Sequence, residues 1–256
     1  MNVFRATLIA FTILVPLSGC AWEHPEDEAV GSEESAVAAD NALAINALAI
    51  NALSPTALAT VQDPGPNGAL ARQLLSYTVG CALPATQSFS FSWTDVQGAV
   101  HAETYPGLLG LAPQWAYGAL GRRTSQELVS ACLAARVNYF GVPVHLSVRG
   151  ATSLLSANTT SAELAAYPYV EGAFWGNLFT ATPSVSACYD TADVSHSRAD
   201  QRECATGFLA ADGSTQPCGI INLAGPCETQ CQGFDACGGY YLGCGGSDDA
   251  VTVGLQ

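Results

Sequence analysis

Apolar and polar residues follow different rhythms along the chain. Residues 6–17 form an apolar run broken only by Thr12 and Pro16, and residues 21–40 show no pattern at all. From Asn41 to Thr60 the sequence reads NALAI NALAI NALSP TALAT, a period of five. That period suits neither helix nor strand, because leucines five apart turn about 140° round a helix and alternate faces on a strand. Four copies make at most one coil of a stacked repeat, which needs several neighbours to bury a core, so a spacer is expected. DPGPNG, residues 63–68, closes it with turn chemistry.

From Asn67 onward helical and strand periods appear. Leu70, Leu74, Tyr77 and Thr78 share a helical face, with Asn67 placed to cap the start and Gly80 to end the helix. In SFSFSW, residues 88–93, three aromatics alternate with serines, the pattern of a half-buried strand. TSQE, Thr124 to Glu127, is a capping box ahead of a stripe of Leu128, Cys132, Ala135 and Tyr139, and a second box runs from Thr160 to Glu163. VPVHLSVRG (142–150), GAFWGNLF (172–179) and AVTVGL (250–255) read as strands. Helices and strands do not alternate as a doubly wound sheet requires. The expected fold is α+β, with short, mainly antiparallel strands, two or three helices and a disulfide-stapled, loop-rich C-terminal part.

The apolar run at the start follows a single basic residue, Arg5, and ends in small residues, which is a signal-peptide layout. It is too short for the roughly 20 residues that a spanning helix needs. Its exit, Leu17-Ser18-Gly19-Cys20, resembles the lipobox of bacterial lipoproteins. The resemblance implies cleavage before Cys20, a diacylglyceryl group on its thiol and an acylated, palmitate-type amino terminus. Ala21 stands where an inner-membrane sorting signal has Asp, which implies the outer membrane and leaves the face open. The expected organisation is a signal peptide over 1–19, an acidic disordered tether over 20–40, the repeat spacer over 41–66 and a globular cysteine-rich domain over 67–256.

Charge narrows the partners. The chain has 256 residues, 22 acids, eight arginines and no lysine, and from residue 67 onward its net charge is minus seven. Nucleic acid binding relies on lysine and arginine neutralising phosphates, so no nucleic acid partner is expected. The expected partners are membrane lipid through Cys20 and an envelope protein, surface protein or glycan.

The other nine cysteines, Cys81, Cys132, Cys188, Cys204, Cys218, Cys227, Cys231, Cys237 and Cys244, read as disulfides in an oxidising compartment. Nine is odd, which leaves one thiol free or paired outside the chain. Cys81 is expected to pair with Cys132, since both lie far from the cluster of the other seven. Cys227-x3-Cys231 and Cys237-x6-Cys244 lack the tight pairs and histidines of zinc sites, so no metal and no cofactor is expected.

The common hydrolase and nucleotide motifs are absent. Three residues are candidates for chemistry: His101 and Glu103, two apart on one strand face, and His145, which could hold Cys132 as a thiolate. Cys132 lies mid-helix on an apolar stripe, which favours a buried or bridged sulfur instead. Asp190, Asp193 and Asp200 lack the glycine and alternation of a calcium loop and read as a solvated loop. Trp93, Trp115, Trp175, Tyr105, Tyr117, Tyr167 and Tyr169 either line a sugar groove or fill the core, and the core is the better reading.

VGCALP (79–84), YPGLLGLAPQW (105–115), SACLAARVNYFGVPV (130–144) and EGAFWGNLF (171–179) resemble exported cysteine-rich proteins of predatory soil bacteria. Members of that group often carry short asparagine and leucine repeats ahead of the domain. The resemblance brings no activity, so no functional residue is carried over. The sequence favours a non-enzymatic envelope lipoprotein that binds a partner or shields the surface, with an exported polymer hydrolase as the alternative.

Overall fold

The computed structural model describes residues 38–40, 43–44, 60–138, 143–157, 159–199, 202 and 204–256. The signal peptide, Cys20, Asp200 and most of the tether and repeat lie outside the described residues. In chain order the elements are β1 (Ala38–Asp40), β2 (Leu43–Ala44), α1 (Pro66–Ala82), β3 (Ser88–Thr94), β4 (Val100–Pro106), α2 (Arg123–Ala135), β5 (Val137–Asn138) and β6 (His145–Arg149). After them come α3 (Ser153–Ser156), α4 (Ser161–Ala166), β7 (Tyr169–Asn177), β8 (Ser184–Tyr189), α5 (Val194–Ala199), β9 (Phe208–Leu209) and β10 (Thr215–Gln216). The chain closes with β11 (Ile221–Pro226), α6 (Cys227–Gln230), β12 (Gly233–Asp235), β13 (Tyr240–Leu242) and β14 (Val251–Leu255).

A six-stranded sheet in the order β1-β6-β14-β7-β8-β11 organises the domain, antiparallel except where β11 runs parallel to β8. The C-terminal strand β14 sits inside the sheet and is buried along its whole length. A strand covered on both faces needs no polar alternation, hence VTVGL. Gly254 breaks that run because the Arg149 guanidinium lies over it: a Cβ there would stand 2.4 Å from Nη2. The fold is therefore α+β with mainly antiparallel strands.

Leu146, Val148, Phe174, Val185, Ala187, Val251, Val253 and Leu255 form one core with α1 and α2. Val170, Ala173, Trp175 and Cys188 form a second, smaller cluster with Cys227, Tyr241 and Cys244. A bulge in β7 lets Val170 and Ala173 share that cluster although they are three apart: Val253 faces Gly172, and Gly254 faces Val170. The extra residue, Glu171, turns into a fully buried ion pair with Arg202, whose Nη2 donates to Glu171 Oε2 at 2.6 Å and to the Ala135 carbonyl at the end of α2 at 2.7 Å. Ser197 Oγ also donates to Glu171.

Four disulfides staple the described residues: Cys81–Cys132, Cys188–Cys227, Cys204–Cys218 and Cys231–Cys244. The first joins α1 to α2 as expected. None of these sulfurs is left to ligate zinc. Cys237 is bonded too, so no free thiol stands among the described cysteines, where one unpaired thiol is expected.

Several boundaries differ from the sequence reading. Helix α1 starts at Pro66 after Gly65 and runs through Gly80 to Ala82, because proline at the first helical position needs no N–H partner. The fold also takes in residues expected in the spacer and tether. Val61 is in the core, Arg72 Nη1 donates to the Val61 and Asp63 carbonyls at 2.8 and 2.9 Å, and Ala38–Asp40 pairs with β6. The box at Thr160 caps α4, its hydroxyl accepting from Glu163 N, while the Glu163 carboxylate turns inward to accept from Ser147 Oγ at 2.7 Å. The box at Thr124 does not form: Arg122 is the N-cap of α2 and makes no side-chain cap. Glu127 is taken by other partners.

Candidate functional site

Those partners build a cleft. It has a volume of about 770 Å³ and lies where the first turn of α2 meets the end of β7, the start of β8 and the loop 245–249. Its walls are fixed from both sides. Asn177 Nδ2 donates to Gln126 Oε1 at 3.1 Å, and Leu178 N donates to Ser130 Oγ at 2.9 Å, tying β7 to α2. The loop is held by the Cys231–Cys244 bridge and by Gly245 N donating to the Gln230 carbonyl at 3.1 Å.

Two carboxyl groups 122 residues apart in the chain, Glu127 and Asp249, meet in this cleft. Arg123 Nε holds Glu127 Oε1 at 2.6 Å from the solvent side. On its other side Glu127 hydrogen-bonds the Asp249 carboxyl. Burial first, then that bond and the Glu127 charge, then the nearby Asp248, push Asp249 above the ordinary aspartate value, while the Thr124 hydroxyl pulls it back. A neighbouring carboxylate and burial both disfavour the charged form of Asp249.

Trp175 forms the floor of the cleft, 9% exposed. Its indole Nε1 edge faces Gly245, a residue at positive φ where a Cβ would stand 2.1 Å from Nε1. Only glycine leaves room for the ring at that position. Nε1 has no hydrogen-bond partner among the described residues. The cleft thus offers carboxylates that accept, one indole N–H that donates, the hydroxyls of Ser184 and Ser247 that can donate, and those of Thr124 and Thr180 that can accept.

The residues singled out for chemistry lie elsewhere. His101 and Glu103 do share a face of the β3–β4 hairpin, but each is engaged separately. His101 Nε2 pairs with Asp95 Oδ2 at 2.8 Å and its ring stacks on Trp93, and Glu103 accepts from Trp93 Nε1 at 3.1 Å. The His101 bond holds the Asp95 carboxyl below its ordinary value, and burial and the Glu103 charge push the Tyr105 hydroxyl up to about 12. His145 is exposed at the start of β6, and Cys132 is bridged, so the thiolate arrangement does not form. His196 stacks on Tyr169 and its Nε2 contacts the Gln256 carbonyl at 2.5 Å.

The loop acids Asp190 and Asp193 are structural: Asp190 Oδ2 accepts from the Tyr241 hydroxyl at 2.6 Å, and Asp193 Oδ2 from Val170 N at 2.9 Å. Of the seven aromatics only Trp175 lines the cleft; Trp93 and Tyr105 belong to the hairpin, and Tyr117 is exposed. Nothing in the sequence marks Asp249, and Glu127 reads as a cap residue, because 122 residues separate them and only the fold brings them together. No helix among the described residues is long and apolar enough to cross a membrane. No family model, no curated protein and no solved structure matches the chain.

Proposed function

We propose that the chain is an exported outer-membrane lipoprotein, anchored through a lipid on Cys20, whose folded domain is a binding module with its ligand site in the cleft. The observation that carries the binding reading is the placement of the histidines. His101 sits on the hairpin, His145 at the open end of β6 and His196 against the C-terminus, while the cleft brings carboxylates, hydroxyls and an indole N–H to one surface. Hydrolysis by a histidine and its partner needs them to converge. The four bridges support an oxidising compartment.

Lipid and disulfide compete for one sulfur. A Cys20–Cys237 bridge would leave no thiol to alkylate, so one experiment separates them. Labelled fatty acid is expected in the wild-type protein and not in Cys20→Ser, which leaves the membrane fraction. An unlabelled wild-type protein, or a peptide map linking Cys20 to Cys237, overturns the anchor.

The carboxyl pair favours a second reading, an exported hydrolase acting on an extracellular polymer. A carboxyl raised above its ordinary value by burial and a second carboxyl in the same cleft is an arrangement that acid–base catalysis uses. Under this reading turnover on a panel of glycan, peptide and ester substrates is lost in Glu127→Gln and kept in His101→Ala and His145→Ala. A panel without turnover rejects it.

A further inference from the structure

We propose that the cleft binds an aminated glycan, its ammonium group seated among Glu127, Asp248 and Asp249 and one of its oxygens accepting the Trp175 indole N–H. The inference rests on the binding-module reading and names the ligand class of that site.

Charge is the first argument. Three carboxylates line the cleft against one guanidinium, Arg123, which Glu127 already engages at 2.6 Å. A cationic group therefore gains more there than a neutral or anionic one. The second argument is independent of the acids. Trp175 lines the cleft and is nine-tenths buried, its Nε1 has no partner among the described residues, and its Nε1 edge lies against Gly245, where any side chain would collide with it. A donor in that position calls for a ligand acceptor, because a ligand that buried it unpaired would lose about 1–3 kcal/mol.

The third argument separates sugar from peptide. An extended peptide binds by adding a strand to a sheet edge. In this wall β7 and β8 are already paired with each other, Gly176 with Val185 and Asn177 with Ser184, so no ladder is offered. The wall instead presents the hydroxyls of Ser184 and Ser247, which can donate, and of Thr124 and Thr180, which can accept, a mixture that matches sugar hydroxyls. A volume of about 770 Å³ lies within the range of small-ligand sites.

The test is calorimetric titration of the full mature chain with three probes at mildly acidic pH, where sugar amines are protonated: a glucosamine tetramer, its N-acetylated counterpart and tetralysine. The glucosamine tetramer is expected to bind at least about tenfold more tightly than either other probe. Glu127→Gln and Asp248→Asn each weaken it by about tenfold, and Trp175→Phe, which keeps the ring and removes the N–H, by about fivefold. Asp248 is exposed, so its variant keeps the test valid if Trp175→Phe fails to fold.

Tighter binding of tetralysine overturns the sugar assignment. Equal binding of the N-acetylated tetramer overturns the ammonium seat and leaves a glycan module standing. Silence from all three probes, with another ligand competing for the cleft, rejects this proposal alone. Turnover on the polymer panel rejects the binding module itself.

Discussion

Removing the charge from Glu171 is expected to be the most damaging single conservative change in the described core. Both partners of its ion pair with Arg202 have no exposed side-chain surface. The carboxylate accepts from Arg202 Nε at 2.9 Å and from Nη2 at 2.6 Å, with Ser197 Oγ as a further donor, while Arg202 Nη2 also reaches the Ala135 carbonyl. Arg202 Nη1 has no partner among the described residues, so the guanidinium depends on Glu171 for its compensation. Glu171→Gln keeps the shape and leaves a buried cation unneutralised, which costs about 3–5 kcal/mol. For a domain of this size that lowers Tm by roughly 6–20 °C. Replacing both partners together, as Glu171→Leu with Arg202→Met, removes the charge and its desolvation at once and is expected to fall within about 2 kcal/mol of wild type. The assay is thermal and chemical denaturation of the oxidised protein followed by circular dichroism. A Glu171→Gln protein within about 2 °C of wild type, or a double variant as damaged as the single one, would refute the reasoning, since either means that the charge pair does not hold β7 to α2.

Cys81→Ala with Cys132→Ala opens a loop of 51 residues and is expected to cost about 4 kcal/mol by chain entropy, against about 3 kcal/mol for Cys204→Ala with Cys218→Ala, whose separation is 14; denaturant midpoints give the order. Non-reducing peptide mapping is expected to return the four pairings described, and a different partner for Cys188 or Cys231 would show a misassigned knot. Tyr241→Phe loses the 2.6 Å bond to the Asp190 carboxylate and is expected to lower stability by about 1.5–3 kcal/mol. Asp249 is raised in the fold by burial and by Glu127, so its contribution favours the fold below the unfolded value and is lost as pH rises through the raised one. Asp249→Asn is therefore expected to raise Tm at neutral pH and to have little effect near pH 3. Solvent screening at this partly exposed carboxyl keeps the gain to about 2 °C; a lower Tm at neutral pH would show that the carboxylate stabilises the cleft.

Local chemistry wrote most of the fold legibly. The alternation in SFSFSW gave β3, the runs at 172–179 and 250–255 gave strands of the central sheet, and Cys81 and Cys132, isolated from the other cysteines, gave the α1–α2 bridge. The places where local rules misled are those where a distant partner outbid a neighbour. Thr160 caps its helix as its box predicts, whereas Glu127, three residues after Thr124, is drawn away to Arg123 and Asp249. Glu171 sits in an apolar run that nothing nearby marks as bulged, and its reason, Arg202, lies 31 residues on.

These two kinds of departure differ in physical sense. The Glu171 network matches each acceptor with buried donors, and so reads as structure. The Glu127–Asp249 pair does the reverse: it sets one carboxyl against another and raises Asp249 above its ordinary value, in a cleft open to solvent. A sequence consistent at most levels and inconsistent at one cleft has its inconsistency where a ligand, rather than the fold, completes the bonding. The same substitution that relieves the pair, Asp249→Asn, should therefore stabilise the free protein and weaken ligand binding, and a variant that improved both would show that the cleft is an unrelieved defect and not a site.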